Sequence, residues 1–145
     1  MDKPKRAKMP AYTQFTLKAL RELGYEAEVV EKWIQWGQGD KRVKGKGRPG
    51  FRKDLFNFID IVCLCGKKGL LAVQSTSDGY RLDHRKKILA EPRALLWLKS
   101  GGKISLCTWK KETVLKQDGT KGKAQRWKER WDMIRIGDFE PKGGA

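Results

Sequence analysis

The sequence predicts an α/β fold, a small mixed β-sheet flanked by helices. Three observations carry that expectation. An amphipathic helical period begins at Tyr12; two short apolar stretches flank the turn Gly66-Lys67-Lys68-Gly69; and a helical stretch after Ser77-Asp78-Gly79 leads to a further apolar strand at residues 104–109. Helices joined to such strands cover the faces of the sheet, and the strand–helix–strand unit across residues 70–109 should form a right-handed crossover between parallel strands. At 145 residues the chain has the size of one domain. That length can bury about two-thirds of its unfolded surface, enough for one core.

Taken in order, residues 1–10 combine two Pro with several Lys and Arg and little to bury, and read as a disordered basic arm. Residues 11–140 form the single domain, and 141–145 a tail. Phe15, Ala19 and Leu23 recur every four residues, with Leu20 beside them and Lys18, Arg21 and Glu22 facing away, so residues 12–23 are helical and Gly24 closes the helix. Residues 26–34 read as a strand. Residues 37–50 hold five Gly and five Lys or Arg, a mobile basic loop. Its Gly45, Gly47 and Gly50 spell G-x-G-x-x-G, but Arg48-Pro49 sits inside the string and no helical period follows, so a dinucleotide site is not expected. Residues 55–65 read as a strand interrupted by Asn57 and Asp60. Residues 70–76 read as a second, and both are apolar enough for the middle of the sheet. A helix to about residue 90 and another from Pro92 to 99 follow, since Pro is accepted in a first turn. Gly101-Gly102 stop the second. Residues 116–123 are a polar turn. Strict alternation of Trp127, Glu129, Trp131 and Met133 predicts a last strand over 125–136, with a helix as the alternative there.

Lys plus Arg is 33 and Asp plus Glu 17, a formal net charge of +16. Solubility needs a net charge of only about 2–8 on a small domain. The excess points to a polyanion, because each cation that neutralises a phosphate releases a condensed counterion. Six Trp add flat faces for stacking. No uninterrupted apolar run exceeds five residues, so neither a membrane span nor a signal peptide is expected. Three Cys is an odd count, which argues against a disulfide framework and for a cytoplasmic setting.

Asp60 is the most informative residue, a lone carboxylate between Ile59 and Ile61. Burying it ionised is costly unless it is paired or bound to metal. A hairpin centred on Lys67 sets Asp60 opposite Gln74, and one centred on Lys68 sets it opposite Thr76. Gln74 and Thr76 share a face because strand side chains alternate. Oxygen ligands gathered at one point suit Mg²⁺ or Mn²⁺. With the basic charge, the chemistry implied is metal-assisted phosphodiester hydrolysis.

The stretches Arg52-Lys53-Asp54-Leu55-Phe56-Asn57-Phe58-Ile59-Asp60-Ile61 and Ala72-Val73-Gln74-Ser75-Thr76-Ser77, with Lys87-Ile88-Leu89-Ala90-Glu91-Pro92-Arg93-Ala94 beyond them, resemble the PD-(D/E)xK nuclease superfamily. Within it, they are most similar to small phage and archaeal-type Holliday junction resolvases. The resemblance spans roughly residues 12–136 through short, degenerate motifs. It implies a restriction-endonuclease-like core in the order α-β-β-β-α-β plus an extra strand. It also implies a metal-dependent endonuclease acting on branched DNA, often as a homodimer. Asp60 would be the motif's metal-binding Asp and Gln74 its second acidic position, while Thr76 falls where the family usually places Lys. Ile59 replaces the motif Pro. The missing acid calls for another carboxylate, Asp54 or Glu31, with Glu22 a weaker candidate. Lys87 or Arg85, or His84 as a third, would stand in for the missing Lys. Lys41, Arg42, Lys44, Lys46, Arg48, Arg52 and Lys53, with the basic residues of 103–130, would grip the DNA backbone, which positions DNA without reading its sequence.

Plainer readings stand beside these. Asp60 would be salt-bridged to one of many cations, Asp54 would be a strand-entry residue between basic neighbours, and Glu31 would pair with a surface Lys. Gln74 and Thr76 would fill a strand end, and His84 would lie on a solvated helix face. Cys63, Cys65, Cys107 and His84 match the ligand count of zinc, but Cys spaced two apart on a strand suit buried thiols better. The functional rival is a non-catalytic nucleic-acid-binding protein carrying a degenerate nuclease site, and an RNA-binding protein is a further one.

Overall fold

The computed structural model describes residues 11–35 and 50–139, the side chains of 33–35 and 50–52 excepted. The basic arm, the tail and most of the Gly-rich loop lie outside the described residues. So do Lys41, Arg42, Lys44, Lys46 and Arg48. Helix α1 (Tyr12–Glu22) buries Thr16, Leu17 and Leu20. It ends as its sequence demands: Gly24 takes φ +90°, and the N–H groups of Gly24 and Tyr25 donate to the Arg21 and Leu20 carbonyls.

The main sheet has five strands in the order β1-β4-β5-β6-β7. They are β1 (Glu26–Val29), β4 (Ile61–Leu64), β5 (Leu70–Ser77), β6 (Lys103–Leu115) and β7 (Lys121–Ile134). Strands β2 (Lys32–Gln35) and β3 (Gly50–Lys53) pair separately as a two-stranded antiparallel sheet. Helices α2 (Arg81–Ala90) and α3 (Pro92–Lys99) connect β5 to β6, and these two strands are parallel, as the crossover requires. The other neighbours in the main sheet are antiparallel. The chain is therefore α/β, with a mixed sheet between helices. No helix among the described residues is long and apolar enough to cross a membrane.

Strand alternation divides the core into two layers. Leu17 and Leu20 of α1 pack on Ile61, Cys63, Val73, Cys107 and Trp109. Across the sheet, Ile88 of α2 and Ala94 of α3 pack with Ala72, Ile104, Leu106 and Ile134, and with Phe58 and Ile59. Strands β4 and β5 are both interior, as their apolar composition predicts. Gly102 follows α3 closely enough that a Cβ there would overlap the Trp97 indole, so the stop signal is also a packing requirement.

Three expectations are corrected. Residues 26–34 are not one strand. After β1 the Val30 N–H donates to the Asp60 carbonyl, and the chain leaves the main sheet at Glu31 to enter β2. Residues 55–65 are not one strand either. Phe56 and Asn57 adopt φ of +53° and +68°, and the Ile59 N–H donates back to the Leu55 carbonyl. Asn tolerates the left-handed region well, so the polar interruption noted at Asn57 marks a reversal. Apolar content had masked it, because Phe58 and Ile59 are buried under α2 and α3 rather than in a ladder. Finally, β6 and β7 run well beyond 104–109 and 125–136 at the turn side. They form one long hairpin, and a short 3₁₀ segment, Ile136–Phe139, takes the place of the last predicted strand residue.

Candidate metal centre

The β4–β5 ladder pairs Ile61 with Val73 and Leu64 with Leu70, which centres the hairpin on Lys67. Carried one residue outward, that register sets Asp60 beside Gln74 rather than Thr76. Asp60 is held on both sides. Its N–H donates to the Val73 carbonyl at 2.9 Å, and its own carbonyl accepts from the Val30 N–H at 2.8 Å. Its carboxylate accepts the Ser75 N–H at 2.8 Å on Oδ2. The residue is only 5% exposed.

The two backbone irregularities that the sequence did not announce deliver the remaining acids. The break between β1 and β2 turns Glu31 inward, and the reversal at Phe56-Asn57 returns the chain so that Asp54 lies against Asp60. One oxygen from each of Glu31, Asp54 and Asp60 lies within 4.8 Å of the other two. The Gln74 side-chain N–H donates to Asp54 Oδ2 at 3.5 Å, and among the described residues the buried Gln74 Oε1 has no hydrogen-bond partner. These side chains line a cleft of about 510 Å³ together with Thr76 and His84, and the first turn of α1 borders it.

Electrostatics follow from the crowding. The Asp60 carboxyl is pushed up to about 9, first by burial, then by its hydrogen bond with Asp54 and the charge of Asp54, and further by Glu31; the Ser75 N–H opposes the shift. Like charges in one site cannot all ionise without a counter-charge. Carboxylate and amide oxygens are the ligands hard cations take, and Gln74 Oε1 is an acceptor whose protein partner is missing. The three carboxylates thus fit a divalent cation of that class, while Gln74 meets Asp54 through its N–H. Among the described residues, no Arg or Lys is among the groups that shift the ionisation of Asp60, which there keeps carboxylates rather than a cation beside it.

The helix after β5 contributes unevenly. Lys87 Nζ lies 3.7 Å from Asp54 Oδ2, beside the cleft. Arg85 does not reach it. Its guanidinium is held by Asp132 at 3.3 Å and Asp138 at 3.2 Å, and Arg81 shares Asp132. The reason is helical phase: positions 81 and 85 are four apart and face β7, whereas 84 and 87 are three apart and face the cleft. His84 is accordingly not on a solvated face. Its Nδ1 is buried without a partner, and burial together with Lys87 lowers its pKa, against the pull of Asp54 and Asp83. That helical spacing was the signal available in the sequence. Thr76 is buried at the cleft wall.

Other candidates lie elsewhere. Glu22 lines a separate surface depression on α1 with Leu17 and Arg21. Cys63 and Cys107 are buried on the α1 side of the sheet, and burial pushes both thiols up to about 12, so they are inert structural thiols. His84 lines the carboxylate cleft, and these four residues form no metal-ligating group. Gly50 opens strand β3 rather than a helix, which removes the dinucleotide reading. Lys53 is exposed on β3, and Arg52 precedes it on the same strand. The chain matches no family model, no curated protein and no solved structure.

Proposed function

We propose that this protein is a metal-dependent endonuclease that hydrolyses phosphodiesters of branched or structured DNA, with the Holliday junction as its preferred substrate. The observation that carries the reading is the convergence of Glu31, Asp54 and Asp60 in a cleft that Gln74 also lines, in a +16 chain. The element order supports a restriction-endonuclease-like core. Asp60 and the Gln74-Ser75-Thr76 edge lie side by side on antiparallel strands, α1 covers one face, and α2 and α3 cross to a parallel β6 on the other.

Glu31, Asp54 and Asp60 would hold Mg²⁺ or Mn²⁺, and Gln74 would join them with its amide turned to present Oε1 in place of the N–H that now meets Asp54. Such an ion supplies Lewis acidity to a phosphate oxygen and acidifies a bound water. The protein's own groups do the rest. Lys87 stands beside Asp54 to offset charge that builds on the phosphate. His84 lines the cleft, and burial together with Lys87 disfavours its charged form, so its imidazole would serve as a proton acceptor there. The Ser75 N–H fixes the rotamer of Asp60. Glu31 and Asp54 together supply the negative charge that Gln74 lacks relative to the motif's acid. A homodimer would match the two-fold symmetry of a four-way junction.

The test is incubation with four-way-junction, linear duplex and single-stranded DNA, with Mg²⁺ and with a chelator. Mg²⁺-dependent cleavage of the junction, abolished in Asp60→Ala while binding persists, is the expected result. Junction binding without cleavage in Mg²⁺ and in Mn²⁺ would establish instead the rival favoured by Gln74 and Thr76 standing where the motif has Glu and Lys: a nucleic-acid-binding protein with a degenerate site.

A further inference from the structure

Strand β6 runs parallel to β5 and is paired with it only as far as Ser77 opposite Trp109. It then continues to Leu115, paired with β7 alone. The far part of the β6–β7 hairpin is therefore a two-stranded ribbon that leaves the sheet. Its six β6 residues beyond Trp109 would extend about 20 Å at strand rise. The ribbon leaves from the end where β5 finishes, the end at which Asp60 and Thr76 sit.

Between 110 and 128 the ribbon holds seven Lys or Arg against two acids. All seven cations are exposed. Most of the acid is already spent, since Glu112 pairs with Arg126 at 3.0 Å and lies 4.0 Å from Lys128, and Asp118 binds the Thr120 hydroxyl. Among the described residues, Lys110, Lys116, Lys121 and Lys123 make no ion pair. Lys110 also stands directly across from Lys128. Like charges opposite one another weaken a strand pair, so the arrangement opposes folding unless a polyanion offsets it. A register shift between Thr113 and Leu115 adds twist near the tip.

We infer that the free part of the β6–β7 hairpin, residues 110–128, is a cationic arm that lies in the major groove of duplex DNA, with Lys110 and Lys128 on its phosphates. The B-form major groove, about 12 Å wide, admits a two-stranded ribbon. The deep, narrow major groove of duplex RNA does not. A duplex gripped there would run past the open end of β5 and so over the carboxylate cleft. This inference goes beyond the hydrolytic reading and does not need it, because groove binding requires no metal.

The test is fluorescence anisotropy with a labelled 30-base-pair DNA duplex in chelator, across a salt series, for the full chain. The variant Lys110→Gln/Lys128→Gln is compared with Lys67→Gln/Lys68→Gln, which removes the same charge from the turn at the opposite end of the sheet. Removing two phosphate contacts should make the slope of log affinity against log salt shallower by about 2 and weaken binding about tenfold or more at moderate salt. The turn variant should stay within about twofold of wild type. Lys121→Gln/Lys123→Gln, exposed near the tip, provides a second reading should the first variant lose its fold by circular dichroism. Equal losses from arm and turn variants would overturn the arm in favour of a diffuse field. So would arm variants that bind DNA like wild type, including ones that only self-associate, because the lysines would then merely guard a sheet edge. Equal affinity for duplex RNA, lost in the same variants, would overturn groove insertion. Because chelator is present throughout, failure here is separate from failure of cleavage in Mg²⁺.

Discussion

Strand β6 lives in two environments. Its first half, Ile104–Trp109, is buried without a break, with Leu106 at 0% exposure between the layer of α2 and α3 and the strands beside it. Its second half is exposed or half-exposed throughout, and Leu115 is 61% exposed. The sequence changes at the same point, from Ile-Ser-Leu-Cys-Thr-Trp to Lys-Lys-Glu-Thr-Val-Leu. One continuous ladder thus serves as core on one side of Trp109 and as a charged projection on the other. Backbone pairing alone does not distinguish the halves; the layers that cover the first half do. The carboxylate cleft lies at the border, where burial is deep enough to raise the pKa of Asp60 while the cleft itself, about 510 Å³, stays open.

The largest contrast should come from truncating each half. Leu106→Ala should cost about 2–5 kcal/mol of stability, because a cavity opens in a packed layer. Leu115→Ala should stay within about 0.5 kcal/mol, and chemical denaturation of the two variants measures both. Comparable losses would mean that the outer ribbon is packed against something in solution.

At the border, Asp60→Asn should lower the Mg²⁺-dependent cleavage rate by about 10²–10³-fold, the scale of several kcal/mol of charge stabilisation. Its effect on stability should have the opposite sign. Folded Asp60 keeps its proton up to about 9 while the unfolded chain releases it near 3.8. The folded state therefore binds the extra proton over that window, and metal-free stability falls as pH rises through it. Thermal melts in chelator from pH 5 to pH 9 should show that decline in wild type, a weaker one in Asp60→Asn, and relief by Mg²⁺ in wild type alone. A wild-type melting temperature that rises with pH and ignores Mg²⁺ would remove the site.

A smaller effect sharpens the site itself. Gln74→Glu should tighten Mg²⁺ binding by about tenfold, by adding a fourth carboxylate to the cleft, and for the same reason should lower metal-free stability at pH 8. Calorimetric titration and a melt in chelator check the two halves of that expectation. The least effect belongs to the ribbon's own stability. Lys110→Gln/Lys128→Gln should leave the melting temperature unchanged or raise it, through a few tenths of a kcal/mol of relieved repulsion. Stability and affinity for DNA would then move in opposite directions in one variant.

Legibility in the sequence followed the range of the interactions. The α1 period, the Gly66–Gly69 turn and the Pro92 restart are signals carried by neighbours a few residues apart, and each appears where its residues place it. The pairing of Asp60 with the Gln74 edge was legible for the same reason, since one short turn sets the register. Glu31 and Asp54 could be named only as alternatives, because nothing local told that both would arrive. The three-residue spacing of His84 and Lys87, which turns both toward the cleft, is visible in the sequence. That Arg85 pairs with Asp132 and Asp138 was not legible, because these acids lie about fifty residues away in the chain.

By itself, then, the chain's residue order determined the identity and sequence of the main elements, the antiparallel step that brings Asp60 to Gln74, and a strong excess of cationic side chains. Only the tertiary structure decided that residues 26–34 divide between two sheets and that Phe56-Asn57 reverse the chain. It also decided that β6 and β7 outrun the sheet. The physical reason is shared. A strand stops where its neighbour stops offering hydrogen bonds and cover, and that neighbour is chosen by packing across the whole chain rather than by the pattern within the strand.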